Sequence, residues 1–267
     1  MPFECPIKFR PITESEFKKL DHDVMRHAFA SHNQLGRLCD ESVYRKDMAA
    51  RLHASRIAPV HCEVPFVVSH RDYRKRFFAD LAIADTVIYE LKAVQALTGD
   101  HEKQNLTYLF IAGATRGKLV NFRPASVEYR TVNAMVSPED QRRYDFITVR
   151  WADLDERSAV LRRILRELVD DWGMFLALSL YEDALTHFLG GESAVLRRVP
   201  LSRDGLPLGH QAVHHIGEAI GFRLTAFSDA AEHGESHLRR LLSLTPLRFL
   251  HWINFSNHRI DLVTLKK

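Results

Sequence analysis

Phe78-Ala79-Asp80, a break at Ala84-Asp85, then Ile88-Tyr89-Glu90-Leu91-Lys92: this stretch decides the fold. The segments Tyr73 to Ile83 and Val87 to Val94 are rich in β-branched and aromatic residues, which suit a pleated surface. Alternation in the second puts Val87, Tyr89 and Leu91 on one face and Ile88, Glu90 and Lys92 on the other. With a turn between them, the pair reads as a β-hairpin. If the turn centres on Asp85, Asp80 lies opposite Glu90, with β-carbons about 4.5–5.5 Å apart. Carboxylates that close repel unless a proton or a cation lies between them. A divalent cation resolves the conflict, and oxygen ligands fit Mg2+ or Mn2+. Lys92 shares the Glu90 face, where an ammonium can orient a water or stabilise charge developing on a phosphate. The same three residues also fit a salt-bridge patch on a solvated sheet face, and spacing alone leaves both readings open.

The bulk properties narrow the field around this hairpin. The 267 residues, 46% hydrophobic, provide for one large domain or two small ones with a real core. A formal charge of +3 is a weak pointer to nucleic acid. No apolar run reaches the about 18 residues of a membrane span, and Met1-Pro2-Phe3-Glu4-Cys5-Pro6 lacks the pattern of a secretory signal. Cys5, Cys39 and Cys62 have no disulfide or zinc spacing, so a reducing cytoplasm is expected. The 15 histidines are scattered, with His214-His215 the only adjacent pair, and show no ligand spacing.

Upstream, residues 13–33 read as an amphipathic helix opened by a Thr13/Glu16 capping box. Gly36 interrupts, and a second helix over about 38–54 carries Glu41 near its start. An acid there can serve the helix dipole alone. Val60 to Ser69 reads as a strand, with Pro65 marking an edge or a bulge, and His70-Arg71-Asp72 as the turn that follows. Downstream, residues 98–112 form a helix carrying Gln104 and ended by Gly113. Strands follow at 118–122 and 127–132. A helix crossing between strands marks an α/β sheet. Polar residues 136–150 read as a linker, and helical signal runs over 155–189 with a weak point at Gly173. Arg162, Arg163 and Arg166 are interleaved with acids, as on a solvated helix face.

The second half echoes the first. Gly36, Glu41 and Tyr44 match Gly173, Leu178 and Tyr181 at an offset of 137, and Val64-Pro65 resembles Val199-Pro200. Leu91, Leu109 and Asn121-Phe122 match Leu224, Leu242 and Asn254-Phe255 at an offset of 133. A repeated supersecondary unit implies a duplicated fold. The polar residues do not persist: Asp80 falls on Val213, Glu90 on Arg223, Lys92 on Thr225, Glu41 on Leu178 and Gln104 on His237.

Residues 13–133 resemble the small GxxExxY proteins of the PD-(D/E)XK nuclease superfamily. The resemblance rests on Glu41-Ser42-Val43-Tyr44, Ala79-Asp80, Tyr89-Glu90-Leu91-Lys92-Ala93-Val94, the run from His101 to Leu109, and Leu119-Val120-Asn121-Phe122. The glycine usual three residues before the motif glutamate is Leu38 here, with Gly36 nearest. The resemblance implies the restriction-endonuclease-like α-β-β-β-α-β core. It further implies that Asp80, Glu90 and the Leu91 carbonyl bind magnesium, that Glu41 completes the metal site, that Lys92 positions the attacking water, and that Gln104 adds a polar group from the crossover helix.

The expectation is therefore an α/β chain of two lobes: a nuclease-like domain over 10–135, a linker over 136–150, and a degenerate copy over 151–267. The function expected is Mg2+- or Mn2+-dependent hydrolysis of phosphodiester bonds in DNA, with catalytic Lys92, Glu90, Asp80, Glu41 and Gln104. Arg71, Arg74, Lys75 and Arg76 are candidate phosphate contacts, or alternatively a charged edge against aggregation. The alternative function is a non-catalytic nucleic-acid-binding or protein-interaction module. A homo-oligomer is possible, though the internal duplication could replace dimerisation.

Overall fold

The computed structural model describes residues 2–227 and 231–267. The chain forms two compact units, Met1–Pro138 and Glu139–Lys267. The first contains β1 (Phe3–Glu4), α1 (Glu14–Leu35), α2 (Glu41–Ala54), β2 (Val60–His70), β3 (Tyr73–Ile83), β4 (Val87–Lys92), α3 (Gly99–Ala112), β5 (Arg116–Asn121) and β6 (Glu128–Asn133). Its six strands lie in sequence order across one sheet. Every neighbouring pair is antiparallel except β4 and β5, which run parallel and are joined by α3. α1 starts as expected, with both halves of the Thr13/Glu16 capping box formed.

The decisive hairpin has the expected register: Leu81, Ala82 and Ile83 pair with Tyr89, Ile88 and Val87. Ala84 and Asp85 both adopt left-handed backbone, φ 55° and 52°. That is costly for alanine, and neighbouring chain holds it. The Ala84 amide donates to Pro59, and the Asp85 and Ala84 carbonyls accept from Arg10. The expected alternation also holds. Tyr89 and Leu91 join Tyr44, Met48, Leu52 and Phe122 in the core beneath α1 and α2.

The second unit contains α4 (Pro138–Gln141), β7 (Asp145–Arg150), α5 (Glu156–Trp172), α6 (Leu178–Phe188), α7 (Glu192–Val195), β8 (Leu196–Arg203), β9 (Leu206–His215), β10 (Ile220–Thr225), α8 (Ala231–Leu244), β11 (Phe249–Ser256) and β12 (Arg259–Lys266). Its sheet order is β7-β12-β11-β10-β9-β8, and β10 and β11 are parallel, joined by α8. This is the same core a second time. The units differ in the sixth strand: β1 extends the first sheet beside β2, and β7 extends the second at the opposite end, beside β12.

That added strand corrects the expected linker. Within 136–150, β7 pairs in parallel with β12, and the buried Gln141 amide donates to the carbonyls of Trp172 and Met174. The polar composition hid a strand whose apolar Phe146, Ile147 and Val149 take β geometry readily.

The repeated residues make repeated interactions. Tyr44 donates its hydroxyl to the Gly36 carbonyl and Tyr181 to that of Gly173, each across eight residues. Both glycines hold nearly identical backbone, φ/ψ 74°/−159° and 78°/−163°, a region open to glycine and hostile to a Cβ. The Asn121 amide clamps the Val94 backbone at N–H and C=O, and Asn254 clamps Phe227 in the same way. Tyr44 stacks on Phe122, and Tyr181 packs on Phe255. The β9–β10 register, His214 opposite Phe222, is that of Leu81 opposite Tyr89 at the offset of 133. The motif matches are thus the bonds that tie each helix end and each crossover to its sheet.

One buried polar pair changed type between the copies. Lys118 pairs with Asp21 in the first unit. At the matching positions of the second, His251 bonds the Ser158 hydroxyl at 2.9 Å, under a stacked Trp151.

Two predictions follow from these contacts. Tyr44→Phe and Tyr181→Phe each leave a glycine carbonyl without its partner, and should each lose about 1–3 kcal/mol in urea unfolding. Burial lowers the His251 pKa from 6.5 to about 4. A depressed base contributes its full stability above the unfolded pKa and loses it as pH falls through the folded one. The wild type should therefore lose roughly 3 kcal/mol between pH 6.5 and 4 from this group. His251→Gln should show a shallower fall in Tm over the same window, whatever its Tm at neutral pH.

Candidate active site

The strand pair β3–β4 is laddered from Ile83/Val87 to Leu81/Tyr89. One step further, the Leu91 amide donates to Asp80 Oδ2 at 2.9 Å. A side-chain carboxylate thus receives a β4 amide where the ladder with β3 ends. Asp80 is 6% exposed, Glu90 2% and Lys92 8%, which excludes the solvated salt-bridge patch.

The helices bring further groups to this strand end. Glu41, in the first turn of α2, lies with Oε1 4.0 Å from the Lys92 amine, and the Glu90 carboxylate is also 4.0 Å from it. Lys92 therefore stands between two acids, at ion-pair rather than hydrogen-bond distance. Burial pushes the Glu41 pKa up, partly opposed by Lys92. On α3, Gln104 donates to the Tyr108 hydroxyl at 2.8 Å. Burial, then the Glu90 charge, pushes the Tyr108 pKa up, so that phenol stays protonated. All five residues expected on catalytic grounds, Asp80, Glu90, Lys92, Glu41 and Gln104, belong to or adjoin this one region of the first unit. Leu91 enters it through its amide.

Glu90 is strongly perturbed. Burial, then the Asp80 charge, raises its pKa well above the usual 4.5, against the opposing pull of Lys92. Its Oε2 is buried with no hydrogen-bond partner. A buried carboxylate oxygen without a partner is costly, and a proton or a cation would satisfy it. Among the described residues no group of three or more His, Cys, Asp or Glu side chains is preassembled to hold a metal ion. Two carboxylates suffice for magnesium, which usually retains several waters and takes one or two protein acids. The hard oxygen donors and the orphaned Glu90 oxygen fit such an ion.

The spacing of the hairpin did not disclose Arg45. It follows Glu41 by one helical turn on α2 and donates to Asp80 Oδ1 at 2.8 Å and to Glu63 Oε1 at 2.8 Å. The i,i+4 relation to Glu41 was the available signal. The basic residues of β3 diverge in their surroundings. Arg74 pairs with Glu4 of β1, Lys75 lies over the Phe77 ring, and Arg71 and Arg76 are exposed. Arg76 lies four residues along β3 from Asp80, about 13 Å away.

In the second unit the matching positions hold a different set. Val213 is buried in the apolar cluster with Leu238 and Leu242, while Arg223 and His237 are exposed.

The raised Glu90 pKa has a direct consequence for stability. For an acid with a raised folded pKa, the contribution is intact below the unfolded value of 4.5 and is lost as pH climbs through the folded value. Without divalent ions, Glu90→Gln should therefore melt above the wild type at neutral pH. The gap should close as the buffer is taken down through pH 4.5.

One comparison with known proteins covers the region that holds these residues. The sequence profile of the PD-(D/E)XK nuclease superfamily matches residues 18–132. A solved structure titled "Crystal structure of SSO0001" shares 21% identity at a TM-score of 0.31, over 57% of this chain and 68% of that one. No curated protein matches the chain. The profile spans α2, the β2–β4 strands, α3 and β5, which carry the whole acid–lysine constellation, and the first half of this chain is thus a domain of the PD-(D/E)XK nuclease superfamily.

Proposed function

We propose that the first unit is a divalent-metal-dependent nuclease that hydrolyses phosphodiester bonds in DNA, of the GxxExxY kind. The observation that carries this reading is the unpartnered, buried Glu90 Oε2 beside Asp80 and Lys92. In this reading Asp80 and Glu90 hold Mg2+ or Mn2+, with Glu41 and the Leu91 carbonyl as further oxygen donors. When bound, the ion polarises the phosphate and lowers the pKa of a coordinated water. Lys92, held between Glu41 and Glu90, orients the attacking water and offsets charge on the phosphate oxygens. Gln104, fixed by Tyr108, contributes a polar group from α3. Arg71, Arg74, Lys75 and Arg76 supply a basic approach along β3 for the backbone of the substrate.

The second unit, with Val213, Arg223, Thr225, Leu178 and His237 at the matching positions, does not cut. It serves as a built-in partner or as added substrate surface, in place of a second copy of the chain.

A rival reading has one observation in its favour. Arg45 already neutralises Asp80, as in a binding module that keeps the acids without turning over. The two separate on plasmid, linear, single-stranded and RNA substrates with magnesium or manganese. The nuclease reading expects cleavage by the wild type. Asp80→Ala and Lys92→Ala should each lower it by on the order of 100-fold or more. Activity surviving both substitutions would discard the site. Binding that weakens with salt, with no cleavage under any metal, would leave the binding module.

A further inference from the structure

Arg45 is held at both ends of its fork. Nη1 donates to Asp80 Oδ1 and Nη2 to Glu63 Oε1, each at 2.8 Å. The two acceptors differ in character. The Asp80 side chain is 7% exposed and that of Glu63 is 62% exposed, while Arg45 between them is 15% exposed. The other Asp80 oxygen already accepts from the Leu91 amide, so both oxygens are engaged and a metal held by Asp80 would have to share one of them with a resident donor. A divalent ion shared by Asp80 and Glu90 would stand within a few ångströms of that positive charge. Coulomb repulsion at that range in a buried site is strong.

We infer that Arg45 is the resident competitor of the divalent cation: it neutralises Asp80 when no metal is bound and passes to Glu63, which it already touches, when one binds. This rests on the metal-site reading above and adds to it a regulator of metal affinity.

The second unit offers a comparison. Glu182 takes the place of Arg45 and Arg223 that of Glu90. Burial raises the Glu182 pKa, opposed by Arg223 and by a hydrogen bond from the Leu224 amide, the counterpart of Leu91. The helix position of the second unit thus carries an acid bonded to a β10 backbone amide near Arg223, where the first unit carries an arginine bonded to two side-chain carboxylates. The Val64-Pro65 match to Val199-Pro200 puts Arg198 where Glu63 stands, so the second unit has no spare carboxylate there. A helix-to-sheet tie alone would need only one acceptor. The second, exposed acceptor is peculiar to the unit that carries the acid pair.

The test is calorimetric titration of Mn2+ into the full-length protein without nucleic acid, on wild type, R45Q, R45K and E63Q, with a metal-free Tm for each. R45Q should bind Mn2+ tighter by on the order of tenfold. R45K keeps the charge and should stay nearer the wild type than R45Q. E63Q removes the negative charge of the second acceptor and should bind more weakly. R45Q binding no tighter than a wild type that does bind, with only its Tm lowered, makes Arg45 a structural tie and overturns the inference. An E63Q affinity equal to wild type overturns the role of Glu63. Absence of Mn2+ binding in every protein removes the metal-site reading itself, and the inference with it.

Discussion

Two carboxylates, Asp80 and Glu90, are buried side by side where β3 and β4 stop pairing, and the rest of the first unit answers that placement. An apolar sheet end would not tolerate them alone, because burying a charge costs far more than burying a hydrocarbon. The Leu91 amide, the Arg45 guanidinium and the Lys92 ammonium converge on them from β4 and α2. These groups leave a remainder. Glu90 Oε2 has no partner and the Glu90 pKa stays high. A site that is satisfied except at one oxygen is what strain held for function looks like, and the opposed charges of Asp80 and Glu90 are its source.

The second unit separates what the fold needs from what the site needs. The tyrosine-to-glycine bond, the asparagine clamp and the aromatic pair recur in both units. They close a helix end, fix the chain after the parallel strand, and join the helix to the sheet. The acids and the lysine do not recur. In their place Val213 adds to an apolar cluster under α8, and Arg223 reaches solvent. The same backbone register therefore accommodates either set. The acid pair is a local addition to a frame that folds without it, and this removes a purely structural explanation for Asp80, Glu90 and Lys92.

Much of this was legible in the sequence because it is local. Alternation of two set the faces of β4, and a turn at Ala84-Asp85 fixed the register that opposes Asp80 to Glu90. The Thr13/Glu16 pair marked a helix start, and the spacing of Gly36 to Tyr44 carried the duplication. Each of these signals is written within a few residues, or repeated at a fixed offset, so no tertiary information is needed to see it.

What the sequence did not determine comes from distant segments meeting. Arg45 reaches Asp80 across 35 positions, and its fork ends on Glu63 from another strand. β7 joins the second sheet by pairing with β12, more than a hundred residues later, so its polar neighbourhood read as a linker. Burial itself is of this kind. The spacing of Asp80, Glu90 and Lys92 fits a solvated patch as well as a site, and only packing of α2 and α3 over the strand ends excludes water from them. Local pattern sets which residues share a face, whereas the environment of that face, and therefore its charge states, is decided by what the rest of the chain lays against it.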